Sequence, residues 1–384
     1  MPRRTSQTDA ATSTQAFRDA LLAWYSHSGR DLPWREHGGD AYRVIVSELM
    51  LVQTTVSAVI PYYHRFLERF PTVADLAAAD EADVLKLWEG LGYYRRARQL
   101  HGLAKAVVQG HGGQFPRDEA GLLALPGVGR YIAGAVRSFA FDQPAPILEA
   151  NTIRLIARLI GLIEPVEQTA SQKRLWAEAA ERVDPARPGD FNQAMMDLGA
   201  TICTPKEPRC LICPVQAFCK AAEAGIAETI PVRAAKAPPK PGEELSLIIT
   251  RPTDGAILML NRTDRGLWAN FWELPTFTTG GADPARRAHA GFACRGPADL
   301  NGLVEAILGL SIAEARPLGE KPIRYGVTTH KMTLNLYQAD LKGSQAEPPA
   351  TPEGWRQAEF LTTDQLASCT LSTAQRQALA RWSS

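Results

Sequence analysis

From about residue 15 to residue 225, apolar residues recur every three to four positions. QAFRDALLAWY, YRVIVSELMLV, VSAVIPYYHRFLERF, ADVLKLWEGL, RRARQLHGLAKAVV, YIAGAVRSFAF and QAMMDLGATI each carry one apolar stripe, so the spacing predicts helices throughout this stretch. Turn signals at Ser28-Gly29, Phe70-Pro71 and the HGG of 111–113 separate several of them. The pattern then breaks. IPVRAAKAPPKPGEE (230–244) holds four prolines and few large apolar residues, and reads as an extended linker. Beyond it, alternation and β-rich runs in LSLIIT, GAILMLN and RYGVTTHKMTLNLYQADL predict strands, with helical DLNGLVEAILGL and TAQRQALARW interspersed. The expected architecture is a mostly α N-terminal region followed by a smaller α+β domain. Its boundaries are a loose tail over 1–14, a helical domain over 15–226, a linker over 227–243 and a second domain over 244–384. No repeat at solenoid spacing is visible.

Composition changes this picture little. The chain has 384 residues, 45% of them hydrophobic, enough for two cores. No apolar run is long enough to span a bilayer, and MPRRTSQTDAATSTQ lacks the apolar segment of a signal peptide, so a cytoplasmic protein without membrane contact is expected. A net charge of +1 excludes no partner. Locally, YYRRARQLHGLAK (93–105) carries Arg95, Arg96, Arg98 and Lys105 with no acid among them. Taken alone it reads as a solvated helix face.

Two acids stand in positions that invite chemistry. On a helix over AYRVIVSELMLVQTT (41–55), Glu48 has Val44 and Ile45 one turn before it and Leu51 and Val52 one turn after. A carboxyl on such a stripe is desolvated, its pKa rises, and it becomes a general acid. The alternative is an exposed Glu48, with Ser47 marking the same wet face. Glu149 ends the apolar run in PILEANTIRL just before an amphipathic stretch. It is either a solvated helix cap or a buried charge with a chemical task.

Four of the six cysteines fall in CTPKEPRCLICPVQAFC: Cys203, Cys210, Cys213 and Cys219. Thiolates gathered this closely can hold a tetrahedral or cuboidal centre, and on spacing alone zinc is a fair rival. A disulfide pair fits poorly with a reducing compartment. Cys294 and Cys369 read as ordinary buried thiols. In ALPGVGRYIAGAV (124–136), Gly127-Val128-Gly129 precedes a helix, an arrangement that lets backbone amides meet an anion.

Together these motifs carry a resemblance. The cysteine loop and the glycine hairpin resemble those of the helix-hairpin-helix, endonuclease III-like DNA glycosylases. LPWR (32–35), SELML with QT (47–54), EGLGYYRRARQL (89–100), LPGVGRY (125–131) and FNQAMMDLGATIC (191–203) narrow it to the MutY family, which removes adenine opposite 8-oxoguanine. DGAILMLNRTDRGLWANFWELP (254–275) resembles that family's Nudix-like domain; no glutamate-rich helix follows it, so pyrophosphatase activity is not expected. The match covers about residues 17 to 340.

The resemblance implies a monofunctional glycosylase of base excision repair acting on double-stranded DNA with an A:8-oxoguanine or A:G mismatch. It implies a monomer associated with the nucleoid and a 4Fe-4S cluster on the four cysteines. Glu48 would protonate adenine, and Glu149, beside Asn151, would stabilise the sugar cation. Tyr131 stands where related enzymes with lyase chemistry have a lysine. Arg30, Trp34, Arg35, Leu51 and Gln193 would line the adenine pocket. Gln53, Thr54, Leu91 and Tyr93 would fill the gap and contact the opposite base. Gly127, Val128 and Gly129 would hold phosphate, and Thr329 and His330 would probe 8-oxoguanine.

Three positions depart from the family pattern. Glu149 replaces an aspartate, an arm longer by about 1.5 Å. Val52-Gln53 replaces two glutamines, and the LVQTT run partly resembles thymine-mismatch glycosylases. Thr328-Thr329-His330 replaces Phe-Ser-His. The alternatives are therefore a glycosylase for thymine opposite guanine, or a lesion-binding protein with weak catalysis.

Overall fold

The computed structural model describes residues 7–36, 38–235, 237–264, 266, 268–279, 292–342 and 349–383. They fall into two units: one takes residues from 1–79 and 95–236, the other from 80–94 and 237–384.

Helices build the first unit: α1 (Gln7–Ser28), α2 (Ala41–Leu51), α3 (Val56–Arg69) and α4 (Val73–Ala78). After α5 (Glu81–Leu87), which belongs to the other unit, come α6 (Arg95–His111), α7 (Glu119–Leu123), α8 (Arg130–Ala135), α9 (Ala150–Ile160), α10 (Thr169–Arg182), α11 (Pro188–Thr201) and α12 (Lys220–Glu223). Helix α1 starts at Gln7, inside the stretch read as a loose tail; residues 1–6 of that stretch lie outside the described residues. Phe17 and Leu21 of α1 pack into one core with Leu155 and Leu159 of α9, Leu175 of α10, and Phe191 and Leu198 of α11. Helix α9 stops at Gly161, which takes the left-handed conformation (φ 64°) that ends many helices. YIAGAVRSFAF, expected as one helix, forms α8 and then a wider π turn over Val136–Ala140, a distortion common beside functional sites.

The second unit is α+β, as its sequence pattern implies. Its strands are β1 (Lys240–Thr250), β2 (Ile257–Arg262), β3 (Trp272–Glu273), β4 (Thr276–Thr279), β5 (Phe292–Cys294), β6 (Arg316–Pro317), β7 (Ile323–Val327), β8 (His330–Asp340) and β9 (Trp355–Leu361). Strand β1 begins within the expected linker, at Lys240. It runs parallel to β8 along its whole length, from Lys240 opposite His330 to Thr250 opposite Asp340, and antiparallel to β4. Strand β2 pairs antiparallel with β3 and β9, and β8 with β6 and β7. Successive β1 residues face opposite sides. Leu245, Leu247 and Ile249 join the core under α13 (Leu300–Leu308). Ile248 joins the core that takes in Leu366 of α14 (Thr363–Ser368) and Ala374 and Ala378 of α15 (Thr373–Trp382). The mixed sheet is thus covered on both faces, in keeping with a Nudix-like domain. Among the described residues no helix is long and apolar enough to cross a membrane.

Candidate active site

Asp40 caps α2 through the Arg43 amide, and the helix is then buried over most of its length. Glu48 sits on this buried surface, only 4% exposed. The wet-face alternative fails at Ser47 too: that residue is 1% exposed and its hydroxyl donates to the Val44 carbonyl at 2.9 Å. Glu48 Oε2 accepts a 2.5 Å hydrogen bond from the Tyr131 hydroxyl. Burial lifts the Glu48 carboxyl from 4.5 to about 7; the Tyr131 hydroxyl pulls it down, the Glu149 charge lifts it, and Arg35 opposes the rise. An acid held in this way keeps its proton close to neutral pH.

Glu149 is a helix cap and also faces a cavity. Its Oε1 accepts from the amides of Asn151 and Thr152, both at 2.9 Å, and its own amide donates to the Thr152 hydroxyl at 2.8 Å. This is a capping box at the start of α9. The carboxyl also lines a cavity that it shares with Glu48. Its extra methylene is taken up by an arm folded back onto the amides of its own helix. Burial pushes the Glu149 pKa up, and the two amide bonds pull against that rise. The segment leading to Glu149 lies hard against α8. A Cβ on Gly134 would come within 2.2 Å of the Pro146 carbonyl oxygen, so glycine there permits the approach of Tyr131's helix.

The shared cavity measures about 560 Å³, the size of a small-molecule pocket. Arg30, Trp34, Arg35, Leu51, Gln53, Thr54, Tyr131, Asn151 and Gln193 also line it. Sequence reading missed the group that organises its cationic wall. Asp197 on α11 is fully buried; Oδ1 accepts from Arg30 Nε at 2.7 Å and Arg35 NH2 at 2.8 Å, and Oδ2 from Arg35 NH1 at 2.8 Å. Burial would raise the Asp197 pKa, yet the Arg35 and Arg30 contacts bring it below the ordinary value. Tyr25 was missed as well: its hydroxyl donates to Gln193 Oε1 at 3.1 Å. Asp197 is the lone acid of FNQAMMDLGATI, but Gln193 and Thr201 one turn to either side interrupt the apolar stripe that made Glu48 legible.

The four clustered cysteines line one small apolar cavity against α9. A 3-10 turn over Cys210–Ile212 sets Cys210 and Cys213, and a second over Gln216–Phe218 leads into Cys219. Arg158, 1% exposed, donates to Cys203 Sγ at 3.2 Å and to the Thr204 carbonyl at 2.7 Å. Arg154 joins the Cys203 carbonyl (2.7 Å) to Asn151 Oδ1 (2.8 Å). Four thiols lining one cavity, with a guanidinium on one sulfur, are a donor set that fits an anionic, thiolate-ligated metal centre.

A family model for HhH-GPD superfamily base excision DNA repair proteins matches residues 46–180. An adenine DNA glycosylase of Homo sapiens is 34% identical over 94% of this chain and 73% of its own length. The chain belongs to the adenine DNA glycosylase family. The Mus musculus member is 36% identical over 94% of this chain and 76% of its own. A solved thermostable thymine-DNA glycosylase, 31% identical, superposes with a TM-score of 0.51 over 56% of this chain and 99% of its own.

In this member of the family the remaining expected residues lie on turns or at their edges. Gly127 (φ 77°) and Gly129, the N-cap of α8, flank a buried Val128. Gln53 (φ 58°) lies in the turn after α2, and Tyr93 (φ 50°) in the turn after α5. Thr328 (φ 49°) opens the two-residue turn between β7 and β8, beside Thr329 and His330. All three are non-glycine residues in the left-handed region, which is costly for a β-branched or bulky side chain. Leu91, 7% exposed, and Tyr93, 60% exposed, belong to the second unit, as do Thr329 and His330.

Arg96 departs from expectation. It is 6% exposed rather than solvated, and its NH1 donates to the carbonyls of Leu49 (2.9 Å), Met50 (2.7 Å) and Val52 (2.6 Å), its NH2 to the Thr54 hydroxyl (3.2 Å). It therefore closes the C-terminal end of the helix that carries Glu48 and shapes the turn around Gln53. Arg96→Ala is expected to cost about 2–4 kcal/mol in denaturant melts by orphaning these carbonyls. A loss below about 0.5 kcal/mol, usual for a surface site, would contradict this role.

Proposed function

We infer that this protein is a monofunctional DNA glycosylase of base excision repair that hydrolyses the N-glycosyl bond of adenine paired with 8-oxoguanine or guanine. The observation that carries the reading is one cavity with a buried acid, Glu48, and a half-buried one, Glu149, on its wall, in a chain of the adenine DNA glycosylase family. Extruding the nucleotide costs a few kcal/mol, which a wedge and a grip on the backbone offset. Gln53, Thr54, Leu91 and Tyr93 are the wedge and opposite-strand contacts, and Gly127, Val128 and Gly129 grip phosphate. Arg30, Trp34, Arg35, Leu51 and Gln193 hold the base. Glu48, protonated near neutrality, delivers its proton to adenine N7 as the bond breaks. Glu149, beside Asn151, faces the positive charge that develops on the sugar. Tyr131 offers no amine for a Schiff base, which supports base removal without strand cleavage. Thr329 and His330 read the opposite base.

Cys203, Cys210, Cys213 and Cys219 would hold a 4Fe-4S cluster, which, when bound, ties the loop 203–219 to α9. Chemical analysis should return iron and acid-labile sulfide in equal amounts from the purified protein, and neither from Cys203→Ala. A zinc content instead would end this assignment.

The decisive assay is single-turnover base release from a duplex with A opposite 8-oxoguanine, beside A opposite G and T opposite G. Adenine release is expected from the first two. Thymine release alone would overturn the reading in favour of a thymine glycosylase, and tight binding without an abasic product in favour of a lesion binder. In the same assay Glu149→Asp should stay within about tenfold of the parent, because an aspartate caps the same two amides. Glu149→Ala should lose on the order of a hundredfold or more, and about 1 kcal/mol of stability with the cap.

A further inference from the structure

Residues 80–94 lie inside the helical part of the sequence, yet they pack with the C-terminal unit. Three polar clasps hold them there. Lys86 Nζ on α5 donates to the carbonyls of Ala367 (2.7 Å) and Cys369 (3.0 Å) at the end of α14. Arg376 on α15 forms an ion pair with Glu89. Asn270, itself left-handed at φ 61°, donates from Nδ2 to Glu81 Oε1 at 3.0 Å. Beneath them the Tyr94 ring meets Phe271 edge to face, with centroids 4.5 Å apart.

What these clasps hold is a strained turn. Gly90 (φ 97°), Gly92 (φ 72°) and Tyr93 (φ 50°) are all left-handed, and the Tyr93 side chain is 60% exposed. A bulky residue persists in that conformation only where its surroundings over-determine it. Within the segment, Trp88 Nε1 donates to the Gly92 carbonyl and the Gly90 amide donates to the Tyr94 hydroxyl, both at 3.2 Å, and the clasps from α14, α15 and the turn before β3 hold the α5 end that leads into this turn. We propose that the C-terminal unit positions Tyr93 for entry into the duplex through its clasps on Lys86, Glu89 and Glu81. The unit that reads the opposite base then also sets the wedge. This rests on the reading that Tyr93 fills the space left by the extruded adenine.

The test compares the full-length protein with Tyr93→Ala, with the clasp variant Lys86→Met/Arg376→Ala/Asn270→Gly, and with the combination. Glycine at 270 keeps the left-handed backbone, and the other two side chains lie at the surface. The probe is a duplex holding 2-aminopurine, a fluorescent adenine isomer, opposite 8-oxoguanine. Its fluorescence rises on unstacking and is read by stopped flow. Thermal melts confirm that each variant is folded.

The clasp variant is expected to lose extrusion by on the order of tenfold. The combination should lose no more than Tyr93→Ala alone, a non-additivity that a general structural defect would not produce. Wild-type extrusion in a folded clasp variant, beside a defective Tyr93→Ala, overturns the inference and leaves the glycosylase reading intact. So do additive losses in the combination. An undisturbed Tyr93→Ala instead removes the wedge role on which the inference stands. An unfolded triple variant is replaced by Arg376→Ala/Asn270→Gly, which is judged by the same outcomes.

Discussion

Glu48→Gln should lower single-turnover adenine release by about a thousandfold while making the protein more stable in mild alkali. The first effect is the loss of the general acid. The second follows from burial. The folded-state pKa of Glu48, about 7, lies above the ordinary 4.5, so the folded chain binds the extra proton between these values. The contribution to stability is full below the lower value, declines by about 3 kcal/mol as pH rises through the window, and is flat above it. Glutamine does not titrate, so the variant should escape this loss, and its melting temperature at about pH 8 should exceed the parent's. For the parent, the rate itself should fall as pH rises through about 7, with the loss of the protonated carboxyl. A pH–rate profile flat through that region would remove Glu48 as the acid.

The second large effect is expected at Asp197. Asp197→Ala leaves Arg30 and Arg35 without the buried carboxylate that both contact. Breaking such a group from one side costs about 3–5 kcal/mol, which equilibrium unfolding would read. The arginines also line the cavity, and their displacement should cost excision on the order of a hundredfold. Asp197→Asn keeps the shape and loses the charge, and should fall between alanine and the parent in both measurements. An alanine variant of parental stability would mean that the arginines find other partners.

How far the sequence carried depended on the range of the contacts involved. The buried setting of Glu48 was legible because Val44 and Ile45, one turn before it on its own helix, are buried with it, although Val52, expected on the same stripe, lies past the helix end and is exposed. The cap at Glu149 was legible for the same reason, since its partners are the amides two and three residues on. Arg96 was misread because the carbonyls it binds are those of Leu49, Met50 and Val52, far back in the chain, and a run of bases looks the same whether wet or buried. The change of partner at residues 80–94 was illegible too. The groups that claim this segment, Asn270, Ala367, Cys369 and Arg376, come from the far end of the sequence. Asp197 was illegible for the same reason, since Gln193 and Thr201 give its helix face a polar look and its partners Arg30 and Arg35 lie far back in the chain. The helical and α+β halves followed from periodicity alone, whereas the π turn after α8 left no trace in it.

Helix α9 acts as a ruler. Its eleven residues rise about 16 Å, with the capping acid at one end and the two arginines that meet the cysteine loop farther along. Adding one residue inside it would lengthen it by about 1.5 Å and turn everything beyond by about 100°. Arg154 and Arg158 would then swing away from Cys203, whatever residue was inserted. Natural variation in this chain's relatives should therefore include insertions and deletions in the surface turn around 111–118, and exclude them between Glu149 and Gly161.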